Sequence, residues 1–158
     1  MMDRVKEAIF SALAGEVEDA VVLDLYAGSG SLGLEALSRG ARSVLFVESG
    51  RGAVRVLKEN IAAVGLGGDA VLAKVEDFLN QGIGTFDLVF VDPPYEVPLP
   101  SVEAVLGRIV RRLADGATIV VHRRSGSGEI PRIPGLAMSD QRRYGDAAIT
   151  RLTKEAMA

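Results

Sequence analysis

A chain of 158 residues with 48% hydrophobic and 25% charged side chains fits one globular domain, long enough to bury a core without a disulfide or metal staple. The absence of cysteine excludes a disulfide framework and a thiolate zinc site. A net charge of −3 excludes a strong general attraction to polyanions and leaves nucleic-acid contact to local basic patches, for which Arg111–Arg112, Arg123–Arg124 and Arg142–Arg143 are the candidates.

The opening residues MMDRVKEAIF are charged and lack the apolar core of a secretory signal. No apolar run approaches the ~20 residues needed to cross a bilayer, so the expected setting is the cytoplasm, without a membrane. Residues 3–14 place Val5, Ala8, Ile9, Ala12 and Leu13 at helical spacing, closed by Gly15. Residues 20–25 are a short apolar run that ends in a glycine-rich turn, the pattern of a buried strand. A helix over 32–38 stops at Gly40, and a second strand follows over 43–48. Residues 51–64 carry Val54, Leu57, Ile61 and Val64 on one helical stripe.

A third strand is predicted over 70–73, a short helix over 76–80, and a fourth strand over 86–92 broken by Pro93–Pro94. A helix over 101–112 leads to a fifth strand over 117–122. Residues 136–144 and 147–152 read as a terminal β-hairpin around Gly145–Asp146. Alternating strands and helices predict an α/β fold, a parallel sheet covered on both faces with all strand ends along one edge. Ligands bind such sheets beyond the carboxyl ends, where strand order reverses, and the distinctive motifs of this chain fall at those ends.

Gly28-Ser29-Gly30-Ser31-Leu32-Gly33 matches G-x-G-x-x-G between a strand and a helix, and Glu48 ends the next strand about 20 residues on, where a ribose-binding carboxylate is expected. Read mechanically, this calls for NAD or another dinucleotide. Asp24, four residues before the first glycine, argues otherwise. A carboxylate aimed into the pocket repels a pyrophosphate but attracts the ammonium and sulfonium of S-adenosylmethionine, and the glycines would then allow close backbone approach. The structural alternative is that Asp24 caps the loop and Glu48 is a solvated strand end.

Asp92-Pro93-Pro94-Tyr95 closes the fourth strand. Neither proline can continue a ladder, and each stiffens the residue before it. The Asp92 carboxylate and Pro93 carbonyl would accept the two hydrogens of an exocyclic base amine, localise its lone pair for attack on the sulfonium methyl, and stabilise the positive charge that develops on nitrogen. Tyr95 would stack on the base. Such chemistry needs no metal. Zero cysteine excludes the covalent route by which ring carbons are generally methylated. The single histidine, His122, is assigned no role.

Asp3 to Phe10, the loop from Asp24 to Gly33, Asp92 to Tyr95, and Tyr144-Gly145-Asp146 together resemble the RsmD family, bacterial methyltransferases acting on guanine N2 of a small-subunit ribosomal RNA nucleotide. The glycine loop and DPPY string are shared with many amino-methyltransferases, and the Arg4 to Phe10 stretch narrows the choice. The resemblance implies a Rossmann-like class I methyltransferase with a seven-stranded, mostly parallel sheet and a C-terminal antiparallel hairpin. It implies that Asp24, Tyr26, Ala27, Gly28, Ser29 and Gly30 surround the methionine part of S-adenosylmethionine, with Glu48 and the adjacent Ser49 at the ribose. Asp92, Pro93 and Tyr95 would be catalytic, and Pro94, Tyr95 and Arg123 would hold substrate.

Where the family places Asp or Asn at the adenine, this sequence has Lys74; Glu76 or Asp77 is the expected substitute, with the Val75 amide at the ring. Family members usually open on a basic β-hairpin arm that grips RNA. This sequence starts almost directly at the Arg4 helix, so either its N-terminus is truncated or the arm is absent; the expectation is one methyltransferase domain over 1–158, a monomer partnered by ribosomal RNA or a small-subunit assembly intermediate. The other readings are a DNA adenine-N6 methyltransferase, an NAD-dependent oxidoreductase, and a catalytically silent RNA-binding module.

Overall fold

The computed structural model describes residues 3–81 and 84–156. Seven strands form one sheet: β1 (Val21–Leu25), β2 (Ser43–Glu48), β3 (Asp69–Leu72), β4 (Phe86–Val91), β5 (Leu113–Arg124), β6 (Leu136–Tyr144) and β7 (Ala147–Lys154). Among the described residues five α-helices accompany them: α1 (Asp3–Leu13), α2 (Ser31–Ser38), α3 (Arg51–Val64), α4 (Val75–Gln81) and α5 (Leu99–Ile109). The strand order is β3-β2-β1-β4-β5-β7-β6. The first five strands are parallel, and β7 is antiparallel to both β5 and β6.

The central strands β1 and β4 are buried on both faces because helices cover both, which is why they read as continuous apolar runs rather than alternating ones. Val22, Phe46, Leu88 and Phe90 pack with α1, α2 and Leu57 of α3 on one face. Leu23, Val89, Val91 and Ile119 pack with α4 and α5 on the other. Phe10 meets Phe90 at a centroid distance of 5.6 Å, which docks α1 over the sheet.

The chain winds outward through β1, β2 and β3, then returns to place β4 on the opposite side of β1. That reversal opens a crevice between the carboxyl ends of β1 and β4. The hairpin leaves Tyr144 and Gly145 at the same edge, since β6 runs in the direction of β5.

Most predicted elements occur within two residues of their expected bounds. Two depart from them: the helix expected over 101–112 ends as α5 at Ile109 and finishes in a 3-10 turn over Val110–Arg112, and the twelve residues of β5 begin at Leu113, its pairing with β4 shifting between the Phe86 and Leu88 positions. Gly116 in that shift has φ +77 and interrupts the apolar pattern, which hid the strand's start. Val64, expected on the buried stripe of α3, is 41% exposed, because it lies in the last turn beside β3, an edge strand with no buried residue.

Candidate active site

The crevice widens into a cleft of about 1310 Å³, larger than the usual range for one small ligand and suited to a cofactor beside a second group. Its floor is made of strand ends. Tyr26 and Gly28 follow β1, Glu48 ends β2 with Ser49 just after it, Val75 and Glu76 open α4, and Asp92 to Val97 follow β4. Arg4 of α1, His122 and Arg124 of β5, and the hairpin turn at Tyr144 to Ala147 close the far wall.

Glu48 ties the β2 end to the glycine loop. One carboxylate oxygen accepts the Gly28 N–H at 2.9 Å, and the other accepts the Gly50 N–H at 2.8 Å. Each oxygen has a second lone-pair direction, so the carboxylate can still receive ligand hydroxyls. Asn60 of α3 donates to the Ser29 carbonyl at 2.9 Å, which braces the loop from behind.

The glycines divide their tasks. Gly28 has φ +58, and a Cβ there would meet no protein atom within 4 Å, so its backbone is open to a ligand. A Cβ on Gly33 would lie 2.3 Å from the Phe46 ring, and one on Gly30 2.6 Å from Leu57. These two glycines let α2 pack onto β2 and α3.

Asp24 is not brought to the cleft wall. Its side chain is 2% exposed, on the α2 side of β1, and accepts the Gly33 N–H at 3.0 Å. The capping alternative is therefore the one that describes its contacts. Burial pushes its carboxyl well above the usual carboxylate range, the Gly33 N–H opposes that shift, and the charges of Asp92 and Glu48 add to it. Tyr26 sits at φ +59, a strained backbone state for a bulky residue. Its hydroxyl is buried without a partner among the described residues, and burial, followed by Glu76, pushes its pKa to about 12. An orphaned donor at the cleft and an acidic floor of Glu48, Glu76 and Asp92 fit a ligand that is cationic and carries acceptors.

Pro93 is buried and Pro94 exposed, while Tyr95 projects with 73% exposure. The Arg124 guanidinium stands 5.4 Å from the Tyr95 ring centroid. Arg123, expected at the substrate, turns away instead, donating to the Ser127 carbonyl at 3.0 Å and the Val97 carbonyl at 3.5 Å. Alternation along β5 sends these neighbours to opposite sides, so Arg124 is the member of the pair on the cleft.

Of the residues expected around a cofactor, Tyr26, Gly28, Glu48, Ser49, Val75 and Glu76 line the cleft, and Asp24, Ala27, Ser29 and Gly30 are not part of that lining. Lys74 lines it and Asp77 does not. Sequence reasoning missed His122, whose Nδ1 lies 2.7 Å from Asp92 Oδ1; its place at the end of a strand beside β4 was the available signal. Arg112 caps the Leu79 carbonyl at 3.4 Å, near the start of β5 and so at the opposite sheet edge. Arg142 is paired with Asp140. No group of three or more potential metal ligands occurs among the described residues, and no helix there is long and apolar enough to cross a membrane.

Comparisons with known proteins agree with this architecture. The family model described as conserved hypothetical protein 95 matches residues 1–153. Ribosomal RNA small subunit methyltransferase D of Escherichia coli (strain K12) is 38% identical over 133 residues, covering 84% of this chain and 67% of that protein. The solved structure of yhhF from Escherichia coli superposes with a TM-score of 0.90 at 34% identity, covering 99% of this chain and 89% of that one. Magnesium protoporphyrin IX methyltransferase from Synechocystis PCC 6803, solved with bound SAM, shares the fold alone at a TM-score of 0.76 and 13% identity, over 96% of this chain and 79% of that one. With the family model matched over residues 1–153 and 38% identity over most of the chain, the protein belongs to the RsmD family, that of ribosomal RNA small subunit methyltransferase D.

Proposed function

We propose that this methyltransferase moves a methyl group from S-adenosylmethionine to an exocyclic amine of ribosomal RNA, the N2 amine of a guanine in the small-subunit RNA. The observation that carries the reading is the end of β4. There a carboxylate (Asp92), a buried rigid proline (Pro93) and an exposed aromatic ring (Tyr95) face the same cleft as Glu48.

When bound, S-adenosylmethionine supplies an electrophilic methyl group on a sulfonium. Glu48, Ser49 and Gly28 would hold its ribose and methionine ends, and Val75 and Glu76 its adenine. The acidic floor favours a cationic ligand by Coulomb attraction. It disfavours a dinucleotide, because the Gly28 and Gly33 amides that a pyrophosphate would use already donate to carboxylates.

Asp92 Oδ2 and the Pro93 carbonyl accept the amine hydrogens, which directs the nitrogen lone pair at the methyl. Their negative charge is worth most as nitrogen becomes cationic, so the gain falls on the transition state. Asp92 then takes the proton that the methylated nitrogen sheds. Tyr95 stacks on the base, and exposed Arg4, Lys74 and Arg124 at the rim meet backbone phosphates.

The test is incubation of labelled methyl donor with small ribosomal subunits from a bacterial strain deleted for its own enzyme of this family, followed by nucleoside analysis. N2-methylguanosine is the expected product. Label in N6-methyladenosine of DNA, with none in RNA, would favour the DNA reading.

A further inference from the structure

The chain's single histidine is bonded to the residue at the centre of the proposed chemistry. His122 Nδ1 lies 2.7 Å from Asp92 Oδ1. Sheet register creates the pair: Val91 of β4 stands opposite Val121 of β5 in a parallel ladder, so the next residue of each strand arrives side by side at the cleft. The side chains are 17% exposed for His122 and 32% for Asp92, sheltered enough for the bond to hold a fixed geometry.

An Asp carboxylate turns about a broad, roughly two-fold torsion. The backbone beneath Asp92 is already stiffened by Pro93, which leaves the carboxylate plane as the free variable. A donor on Oδ1 fixes that plane and leaves Oδ2 for another partner. We propose that His122 is a positioning residue: its Nδ1–H donates to Asp92 Oδ1 and so aims Asp92 Oδ2 at the incoming amine. The kinetic consequence rests on the proposed methyl transfer; the proton position on the ring does not.

Two measurements test it. With one histidine in the chain, its ring nitrogens give an unambiguous nitrogen-15 spectrum. The expected spectrum has a protonated Nδ1 in the wild type, with the proton redistributed toward Nε2 in Asp92→Ala. A neutral ring protonated only at Nε2, and unaffected by Asp92→Ala, overturns the proposal even if no RNA substrate is found.

In methyl transfer to undermethylated small subunits, His122→Leu is expected to lower kcat roughly ten- to hundredfold, with KM for the subunits and calorimetric affinity for S-adenosylmethionine unchanged. His122→Asn keeps a donor near the Nδ1 position and is expected to recover most of the rate. Wild-type rates in His122→Leu overturn the proposal, as does a joint loss of rate and cofactor affinity that His122→Asn does not repair. A wild-type protein inactive on those subunits contradicts the proposed function instead, and the spectrum alone then decides the role of His122.

Discussion

The Asp24 carboxylate accepts the Gly33 N–H at 3.0 Å, capping the start of α2 from the neighbouring strand. The residue at the helix's own N-cap, Gly30, has no side chain to do so. The arrangement places an ionisable group 2% exposed beneath the loop. Burial raises its folded-state pKa well above the ordinary 3.8, so the folded chain holds this proton more tightly than the unfolded chain. The stability it contributes is complete below 3.8 and is lost as pH rises through the raised folded value.

Asp24→Asn keeps an acceptor for Gly33 and removes the ionisation. Without cofactor, its stability relative to wild type is expected to improve as pH rises above the ordinary 3.8. Urea midpoints across a pH series check this; a constant or declining difference would show that the buried carboxyl is not strained by its charge.

Gly33 and Gly28 should fail differently. Gly33→Ala drives a Cβ to 2.3 Å from a fully buried Phe46, an overpacking expected to cost about 1–3 kcal/mol of stability. Gly28→Ala meets open space and pays only the left-handed backbone penalty, about 1–2 kcal/mol, while its methyl intrudes where the cofactor would lie. Denaturant unfolding paired with calorimetry separates them. The expected order is greater lost stability for Gly33→Ala and greater lost cofactor affinity for Gly28→Ala.

Glu48 holds two backbone amides and faces the cleft. Glu48→Ala is expected to weaken S-adenosylmethionine binding by about 1.5–3 kcal/mol, the range for hydrogen bonds to a charged group. At saturating cofactor the rate should be largely retained, since Glu48 is remote from the reacting amine in this account. Calorimetry and a cofactor titration of the rate check it; unaltered affinity would remove Glu48 from the binding site.

Tyr95 is expected to act through its ring face. Tyr95→Ala should weaken transfer to RNA by about 1–3 kcal/mol in kcat/KM, while Tyr95→Phe stays near wild type. Arg124→Ala should lower the slope of log affinity against log salt by about 1 if the guanidinium meets a phosphate. Filter binding of RNA over a salt series reads this directly, and an unchanged slope would confine Arg124 to supporting Tyr95.

The fold was legible because periodicity and punctuation agree: buried parallel strands show as unbroken apolar runs, and Gly40 and Pro93 mark where elements stop. The start of β5 was not, since Asp115 and Gly116 interrupt its pattern and only pairing with β4 makes it a strand. The cleft was legible where a motif ends a strand, as at Glu48 and Asp92. Spacing could not say which way a side chain points once it is there. Asp24 lies under the loop because its strand position faces α2, and alternation along β5 puts Arg124 rather than Arg123 on the cleft. The link between His122 and Asp92 is a matter of register between strands 30 residues apart, which no local pattern records.

The most direct test of the central claim compares wild type with Asp92→Ala for labelled methyl transfer to undermethylated small ribosomal subunits, with nucleoside analysis of the product and cofactor affinity measured alongside. N2-methylguanosine is the expected product of the wild type. Asp92→Ala is expected to react about 10²–10³-fold more slowly at unchanged affinity for S-adenosylmethionine. Equal rates from the two proteins would contradict the claim.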